Sequence, residues 1–427
     1  MAGFFQSRLA PREAFAPAAG RDVALEGMRG LCAFLVLYGH AFAPLPVLDP
    51  VYSPPEFMSW LDEARPSVLF FFVLSGYVIG LSVKSGFSAP AVRAYGSRRL
   101  LRLVPVNTAA VLIAWALRPR TAATTVLGNL GFLQNYNPYI LGWRVPIMDN
   151  DASLWTLNFE VFYYLAFLAV WRASPRLGVL VALGLLGTAA AALPVTPAFL
   201  ACYLVGALYW FAGLCVAWLG PRPEGPGNWP SALLVTGTLW PLASLDVLLG
   251  GVSFPELGVP PLALKRLDLL VSCLWLLLAV TGRSPRWQRR LGLLCLALAS
   301  AAVAGRLLSG AYGEHGPGAL VAYACALALG WALIGWRPEP APLARLAPLG
   351  GVSFGVYAVS LAIQFSLLFQ PNLPRGTPWS FALRLALVVG LSTAIAWVLE
   401  HRLQPALRRR FLGDPGSGFA RPRRSQV

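Results

Sequence analysis

Long apolar runs recur along almost the whole chain, and their length limits what it can fold into. Hydrophobic residues make up 57% and charged residues 12% of the 427 residues, whereas a soluble domain carries about 25% charged residues. Because about 20 helical residues cross a bilayer, the sequence predicts an all-α, polytopic transmembrane helix bundle of about 10–12 spans. The candidate spans are 24–44, 66–83, 103–117, 153–171, 177–193, 199–219, 230–250, 268–282, 290–309, 317–336, 349–369 and 380–400.

The basic residues predict how this bundle is oriented. With the N-terminus in the cytoplasm, most of the 34 lysines and arginines fall on the cytoplasmic side, as the positive-inside rule requires. Both termini are then cytoplasmic, and the net charge of +16 does not indicate nucleic acid as a partner. We expect a cytoplasmic N-terminal segment at 1–23, an integral membrane domain at 24–402, and a basic, disordered tail at 403–427.

The first apolar run, GMRGLCAFLVLYGH at 27–40, carries an arginine and a histidine eleven positions apart. At about 100° and 1.5 Å per residue, Arg29 and His40 share one helix face and lie about 16 Å apart along the axis. Arg29 then lies near the inner surface and His40 in the outer half of the membrane. An ionisable residue at that depth is costly and indicates a functional site. The alternative is a snorkelling arginine and a neutral histidine that hydrogen-bonds between helices.

An arginine cluster precedes the third span in YGSRRLLRLVP. Arg99 and Arg102 are three positions apart and therefore neighbours on one helix face, and Arg93 and Arg98 add to the positive charge. Guanidinium groups bind phosphate in a fork geometry, which suits a nucleotide-type ligand such as coenzyme A. The alternative is an ordinary topology signal that binds anionic lipid.

A carboxylate enters the membrane in LWTLNFEVFYYL at 154–165. Glu160 is seven residues into a span that runs from outside to inside, so we expect it about 10 Å below the outer edge. His40 reaches a similar level from the other side. Such a pair can act as a base and its orienting group. A structural hydrogen bond between helices is the alternative.

Three further residues are candidates for substrate binding: Ser75 and Tyr77 in FFFVLSGYVIG, and Trp155. The first two can line a cavity or simply pack helices through small residues. The six cysteines all lie in apolar runs without a CxxC pair. We therefore predict no metal site and no disulfide framework.

Four motifs in this order resemble the acyltransferase-3 family of bacterial integral membrane O-acyltransferases. The family arrangement of an arginine, ten residues and a histidine matches Arg29 and His40, and its RxxR matches Arg99 and Arg102. The family's second-helix FFVLSG stretch matches 71–76. The motifs are ALEGMRGLCAFLVLYGH, LFFFVLSGYVIG, SRRLLRLVP and LWTLNFEVFYYL, the last with the family's tryptophan and glutamate as Trp155 and Glu160.

The resemblance implies O-acyl transfer in a bacterial cytoplasmic membrane. Acyl-coenzyme A, with acetyl as the expected acyl group, is a co-substrate and no cofactor is permanently bound. The resemblance places the coenzyme A phosphates at Arg98, Arg99 and Arg102, with Arg29 nearby. His40 deprotonates the acceptor hydroxyl, expected on a sugar or glycoside, or transiently carries the acyl group. Glu160 orients His40 or binds the acceptor.

The chain also departs from the family pattern. The late family motif SYxxYLxH reads SFGVYAVS here, which keeps Ser353 and Tyr357 but has Ser360 in place of the histidine. Twelve spans exceed the ten usual in the family. A multi-pass transporter or a flippase of a lipid-linked saccharide is the rival interpretation. It explains many helices with buried charges, but it does not explain the RxxR cluster together with the Arg29–His40 spacing.

Overall fold

The computed structural model confirms an all-α architecture for the residues that it describes. Apart from one isolated bridge between Met148 and Asp151, these residues contain no strand pairing. Most of the predicted N-terminal segment and residues 413–427 lie outside them. The described residues are 23–42, 48–59, 63–83, 85–134, 145–191, 193, 195–219, 228–244, 268–310, 312, 316–334, 336 and 345–412.

The main helices follow one another in chain order. They are α1 (Val23–Ala41), α2 (Ala64–Ser82), α3 (Ala89–Leu117), α4 (Ala123–Leu130), α5 (Trp155–Ala173), α6 (Leu177–Ala191), α7 (Ala198–Trp218), α8 (Trp229–Leu234, continued by a π-helical turn Val235–Leu239 and by Trp240–Ser244), α9 (Asp268–Thr281), α10 (Pro285–Ser309), α11 (Gly316–Leu333), α12 (Ser353–Leu368) and α13 (Pro378–Val398, continued by a π-helical turn Leu399–Leu403 and by Gln404–Leu412). Short helices at Glu56–Ser59, Ala152–Leu154 and Ala347–Gly350 connect them.

Many of these helices are suited to a bilayer. Three shorter apolar helices, Leu177–Ala191, Leu269–Thr281 and Ser353–Leu368, accompany seven that are long and apolar enough to span it. The chain is therefore a multi-pass membrane protein, as its composition predicts; the orientation of its termini remains a prediction. The seven are Ala64–Ser82, Ala89–Leu117, Ala152–Ala173, Leu200–Trp218, Pro285–Ser309, Gly316–Leu333 and Pro378–Leu412.

Helices α2 and α7 approach each other closely because each has a glycine at the contact. A Cβ atom at Gly76 would lie 1.9 Å from the Trp210 carbonyl oxygen, and one at Gly213 would lie 1.9 Å from that of Val73. Without a hydrophobic force between helices in lipid, such small residues permit the backbone contact that stabilises the pair. This packing fixes the position of α2, whose side chains line the cavity described below.

Helices α1 and α12 pack side by side and run in the same direction. The Arg29 Nε donates to the Ser353 Oγ at 2.9 Å near the start of both helices. Farther along, the Gln364 Nε2 donates to the Leu37 carbonyl at 3.0 Å. We call the two ends of this pair the Arg29 end and the His40 end. The contact surface between α1 and α12, which we call the seam, connects the two parts of the predicted site.

The described parts of the segment that precedes α5, 118–134 and 145–154, pack into the bundle. The Asn129 Nδ2 donates to the Pro146 carbonyl at 2.8 Å, and the Asn150 Nδ2 donates to the Ala114 carbonyl of α3 at 2.9 Å. Asn129, Gln134 and Asn150 are almost completely buried. These amides satisfy backbone groups that have no water to bind, so the segment is stable inside the bundle.

The tail was expected to be disordered from residue 403, but Gln404–Leu412 is helical. The Gln404 side chain is buried, and its Nε2 donates to the Arg102 carbonyl at 2.9 Å. One turn earlier, the Glu400 carboxylate accepts from the Gly355 amide at 2.7 Å. Both contacts fix the end of α13 against neighbouring helices, which composition alone does not reveal.

At the His40 end, Asp49 and Arg384 bind polar groups of neighbouring segments. We call these two residues with their hydrogen-bond partners the clasp. Burial tends to raise the pKa of Asp49, but hydrogen bonds from the Ser380 hydroxyl and from the amides of Val51, Tyr52 and Gly376 outweigh it and lower the pKa below its usual value. A lowered pKa in the folded state means that the carboxylate stabilises the fold at neutral pH. This contribution is lost only as the pH falls through the folded-state pKa.

Arg384 completes the clasp and is fully buried. Its guanidinium donates to the carbonyls of Pro374 at 3.1 Å, Leu373 at 3.3 Å and Leu48 at 3.4 Å, and also to that of Leu367. One side chain thus satisfies four carbonyl groups from two segments of the chain.

We expect Arg384→Leu to lower the free energy of unfolding by about 3 kcal/mol, because it leaves buried carbonyls without a donor. Thermal and denaturant unfolding of the purified protein in detergent would measure the loss. Arg375→Leu is the matched control, since Arg375 is exposed and makes one contact with the Pro371 carbonyl. Equal stability of the two variants would contradict the role of the clasp.

Candidate active site

A cavity of about 730 Å³, including its opening, lies among α1, α2, α3, α5 and α12. The α2 residues that line it extend from Val68 to Val78, ten positions that span about 15 Å of helix. Its wall is formed by Arg29, Val68, Phe71, Phe72, Leu74, Ser75, Val78, Arg99, Arg102, Thr156, Leu157, Glu160, Ser353, Phe354 and Tyr357. A mainly apolar lining with a few charged and polar groups is typical of small-molecule sites.

Two arginines of α3 give one end of the cavity its positive charge. The Arg99 guanidinium donates to the Ser82 Oγ at 2.8 Å and lies over the rings of Tyr95 and Tyr164, 5.5 Å and 5.3 Å from their centres. Arg102 also faces the cavity, and its guanidinium forms no hydrogen bond to any other described residue. Its donors are therefore available to an anion.

Arg29 also lines the cavity, but the protein itself engages its guanidinium. It pairs with the Glu26 carboxylate at 2.8 Å and donates to the Ser353 hydroxyl at 2.9 Å and to the Gly350 carbonyl. Arg29 thus joins α1 to the beginning of α12. These contacts hold one wall of the cavity in place and engage the donors of Arg29 within the protein, in contrast to those of Arg102.

Glu160 lies at the charged end of the cavity. Its Oε1 accepts hydrogen bonds from the Ser75 Oγ at 3.4 Å and from the Tyr164 hydroxyl. The Trp210 indole N–H donates in turn to the Ser75 Oγ at 3.3 Å. Glu160 interacts electrostatically with Arg102, so its carboxylate is held in place and charge-compensated without the histidine.

His40 lies beyond the far end of this cavity. It is not among the lining residues and is three helical turns from Arg29, about 16 Å along α1. Its Nδ1 is buried and has no hydrogen-bond partner in the described part of the chain. An orphaned buried nitrogen on a helix that also borders the cavity is a candidate for interaction with a bound molecule.

The structure does not bring His40 and Glu160 together at one depth. The start of α5 is bonded to α12, where the Thr156 and Tyr357 hydroxyls lie 2.7 Å apart, only one turn from Ser353 and Arg29. The helix begins this deep because the segment before it is folded into the bundle. Glu160, one turn farther along, therefore belongs to the Arg29 end.

Three other predicted site residues lie outside the cavity wall. Trp155 packs against Phe72 and Phe159, and Tyr77 is fully buried with its ring 5.4 Å from the Arg283 guanidinium. Arg98 is exposed, and its Nε donates to the Ala94 carbonyl of its own helix at 3.1 Å. Ser75, in contrast, lines the cavity.

Sequence reasoning missed the contribution of α12 and of Thr156. Ser353 holds Arg29, and the Tyr357 hydroxyl donates to the Ser153 carbonyl at 2.8 Å while contacting Thr156. The signal was present in SFGVYAVS, where Ser353 and the second tyrosine of the late motif, Tyr357, are retained. Long-range packing, which a single sequence does not show, brings this motif to the first helix.

The site joins a cationic end to a mainly apolar wall. Arg99 and Arg102 suit phosphate groups, whereas Phe71, Phe72 and Leu157 favour an apolar chain. The structure thus defines a membrane-embedded helix bundle whose cavity is suited to an amphipathic anion.

Comparison with known proteins identifies the family. The family model Acyl_transf_3, described as an acyltransferase domain, matches residues 22–401. The chain therefore belongs to the acyltransferase-3 family and is a membrane acyltransferase, as its four motifs predict.

One curated protein resembles part of the chain. Nodulation protein 10 of Rhizobium leguminosarum bv. viciae is 26% identical over 174 residues, which cover 36% of this chain and 46% of the relative. The chain thus matches a little less than half the length of that protein. No solved structure matches the chain.

A double-mutant cycle tests the separation of the two residues. We expect the unfolding free energies of His40→Ala and Glu160→Ala to add within about 0.5 kcal/mol, because the side chains share no partner. Tyr164→Phe with Glu160→Ala is the control cycle, since these side chains are bonded, and its coupling should reach about 1 kcal/mol. A His40–Glu160 coupling as large as the control would contradict the separation.

Proposed function

We propose that the protein transfers an acyl group, with acetyl as the expected group, from acyl-coenzyme A to a hydroxyl of a sugar or glycoside. The observation that carries this proposal is the cavity with an available guanidinium at one end and an apolar wall along α2. Acyl-coenzyme A has the matching chemistry, with phosphates at one end and an acyl thioester on an extended arm at the other.

The donor is expected to bind with its phosphates at Arg99 and Arg102. Arg102 has donors to offer, and the contact of Arg99 with the Ser82 hydroxyl is one that a phosphate oxygen can replace. The arm then runs along α1 and α2, past Tyr357, towards the His40 end. This assignment gives the spacing of Arg29 and His40 a purpose, because it separates the anchor from the reacting bond.

His40 is the proposed general base. Its neutral imidazole takes the proton of the acceptor hydroxyl as the oxygen attacks the thioester carbonyl, and a new C–O bond forms. The C–S bond then breaks, and the departing sulfur takes the proton from the imidazolium. The products are the ester and free coenzyme A, so no other reactant is needed. A variant route, in which His40 first carries the acyl group, has the same overall balance.

Glu160 has a different role in this scheme from the one its sequence position suggested. Held by hydrogen bonds from the Ser75 and Tyr164 hydroxyls, its carboxylate compensates the charge of the arginines at the phosphate end. A buried guanidinium without a carboxylate nearby would be costly in a membrane. We propose that Glu160 positions the anion-binding end and does not orient His40.

The central prediction concerns His40→Ala. We expect acyl transfer to fall by at least about 100-fold, the usual contribution of a general base, while acyl-coenzyme A still binds. Release of free coenzyme A by the purified protein, with a panel of sugars and glycosides as acceptors, would measure the loss.

The same preparation supplies the control for this prediction. Binding of radiolabelled acetyl-coenzyme A and thermal unfolding would show that the variant is folded and occupied. Full activity of His40→Ala would contradict its role as the base. Absence of donor binding to the wild-type protein would contradict the proposed donor.

A second prediction concerns the anion-binding end. Arg102→Ala should weaken binding of acyl-coenzyme A by about 10-fold or more, since a charged hydrogen bond contributes about 1.5–3 kcal/mol. The loss should diminish with dephospho-coenzyme A or pantetheine thioesters, which lack part of the phosphate charge. Equilibrium binding of each ligand would measure both effects.

Arg98→Ala is the matched control, because Arg98 is four positions before Arg102 on the same helix and lies outside the cavity. It should leave donor binding within about 2-fold of wild type, as an exposed charge contributes little. Equal effects of the Arg98 and Arg102 substitutions would indicate a general surface-charge effect and would contradict the cavity as the donor site.

A further inference from the structure

Three buried polar atoms on α1 and α12 have no hydrogen-bond partner among the described residues. They are the His40 Nδ1, the Ser360 Oγ and the Gln364 Oε1. Ser360 and Gln364 are completely buried. Buried polar atoms are almost always satisfied, so such a group of exceptions at one place needs an explanation.

The orientation of the Gln364 amide follows from its one contact. The Leu37 carbonyl only accepts hydrogen bonds, so the amide NH₂ of Gln364 must face it, and the structure shows this bond at 3.0 Å. The amide oxygen is therefore the end that is left without a partner. Unlike many amide assignments, this one does not depend on a choice between two equivalent orientations.

Leu37 and His40 belong to the same turn of α1. Residues three apart in a helix are neighbours on its surface, with Cβ atoms about 5–6 Å apart. The Gln364 amide and the His40 imidazole therefore meet the same turn. The Gln364 Oε1 is an acceptor without a donor, and the His40 Nδ1 is a nitrogen without a partner, among the described residues.

The spacing along α12 supports this arrangement. Ser353 bonds to Arg29 and Gln364 bonds to Leu37, so both lie on the α12 face that meets α1. Ser360 is seven positions after Ser353 and four before Gln364, which places it on the same face. Ser353, Ser360 and Gln364 therefore form a row along α12, from the cavity wall to the turn of α1 that carries His40.

A histidine that acts as a base needs its second nitrogen fixed. To accept a proton at Nε2, neutral imidazole must carry its hydrogen on Nδ1, and a hydrogen bond from Nδ1–H holds that tautomer and the ring orientation. Either a carboxylate or an amide oxygen can accept this bond, as the use of asparagine in cysteine proteases shows.

We propose that Gln364 is the positioning residue of His40, with its amide oxygen accepting the Nδ1–H bond when the acceptor substrate is bound. Ser360, one turn away on the same face, adds a second buried hydroxyl without a partner among the described residues. This inference rests on the proposed function, because it assigns the orienting role to α12 in place of Glu160.

Few ionisable groups accompany His40 on the described helices that pack around it. Helix α12 has only Tyr357, and α1 itself has Tyr38 within the same turn, with Arg29 about three turns and Glu26 about four turns away. The other ionisable side chains on helices packed against α1 are Arg65 and Tyr77 of α2, Glu63 just before α2, and Cys32, Cys273 and Asp268 on α1 and α9.

The decisive experiment combines two substitutions with the pH dependence of transfer. Gln364→Leu should lower kcat at least about 10-fold through loss of base orientation, with donor binding unchanged. In Gln364→Glu, an ionised carboxylate beside Nδ1 stabilises the imidazolium, so the acid limb of kcat against pH should move to higher pH. A purely structural role would not move that limb.

Ser392→Ala is the matched control, because the Ser392 Oγ is also buried and without a partner among the described residues but lies on α13, which is neither of the two helices that carry His40 and Gln364. Its kcat and pH profile should match wild type. If Gln364→Leu does not fold, Gln364→Glu decides. Wild-type kcat in a folded Gln364→Leu protein, or an unchanged acid limb in Gln364→Glu, would overturn the inference.

Failure of this inference can be distinguished from failure of the proposed function. If His40→Ala abolishes transfer while the Gln364 variants match wild type, only the positioning role is wrong. If His40→Ala is fully active, the base itself is misassigned and the positioning role falls with it.

Discussion

The ion pair of Arg29 with Glu26, together with the bonds from Arg29 to Ser353 and the Gly350 carbonyl, is the contact on which the site depends. It joins the first helix to one that follows more than 300 residues later in the chain. In a bilayer, a guanidinium and the polar groups around a helix start have no water to bind, so they must satisfy one another. This contact sets the register of α1 against α12. The register in turn fixes where His40 lies relative to Tyr357 and Gln364.

The same lack of water explains the polar contacts at several described places where the chain leaves regular helix. Arg384 satisfies carbonyls at the His40 end, buried amides fix the segment before α5, and Glu400 binds the Gly355 amide. These contacts give the helices defined ends at different depths. The resulting cavity is cationic beside α3 and apolar along α2, which is the asymmetry that an acyl donor with a phosphate end requires.

Much of this architecture is predictable from the sequence, because it depends on local properties. Apolar runs of membrane length predict the helices, and the family resemblance placed Arg29 near Arg99 and Arg102. The depth of Glu160 was not predictable, since it depends on how the preceding segment folds. The roles of Ser353, Tyr357 and Gln364 depend on the pairing of α1 with α12, and no local pattern encodes that pairing.

The most direct test of this account is a structure of the protein with a non-hydrolysable acyl-coenzyme A analogue, determined by electron cryo-microscopy in lipid nanodiscs. The account predicts phosphate density against the Arg99 and Arg102 guanidiniums, and the acyl carbonyl beyond Tyr357, next to His40. Phosphates bound at another surface, or an acyl group that ends beside Glu160 with His40 remote, would contradict it.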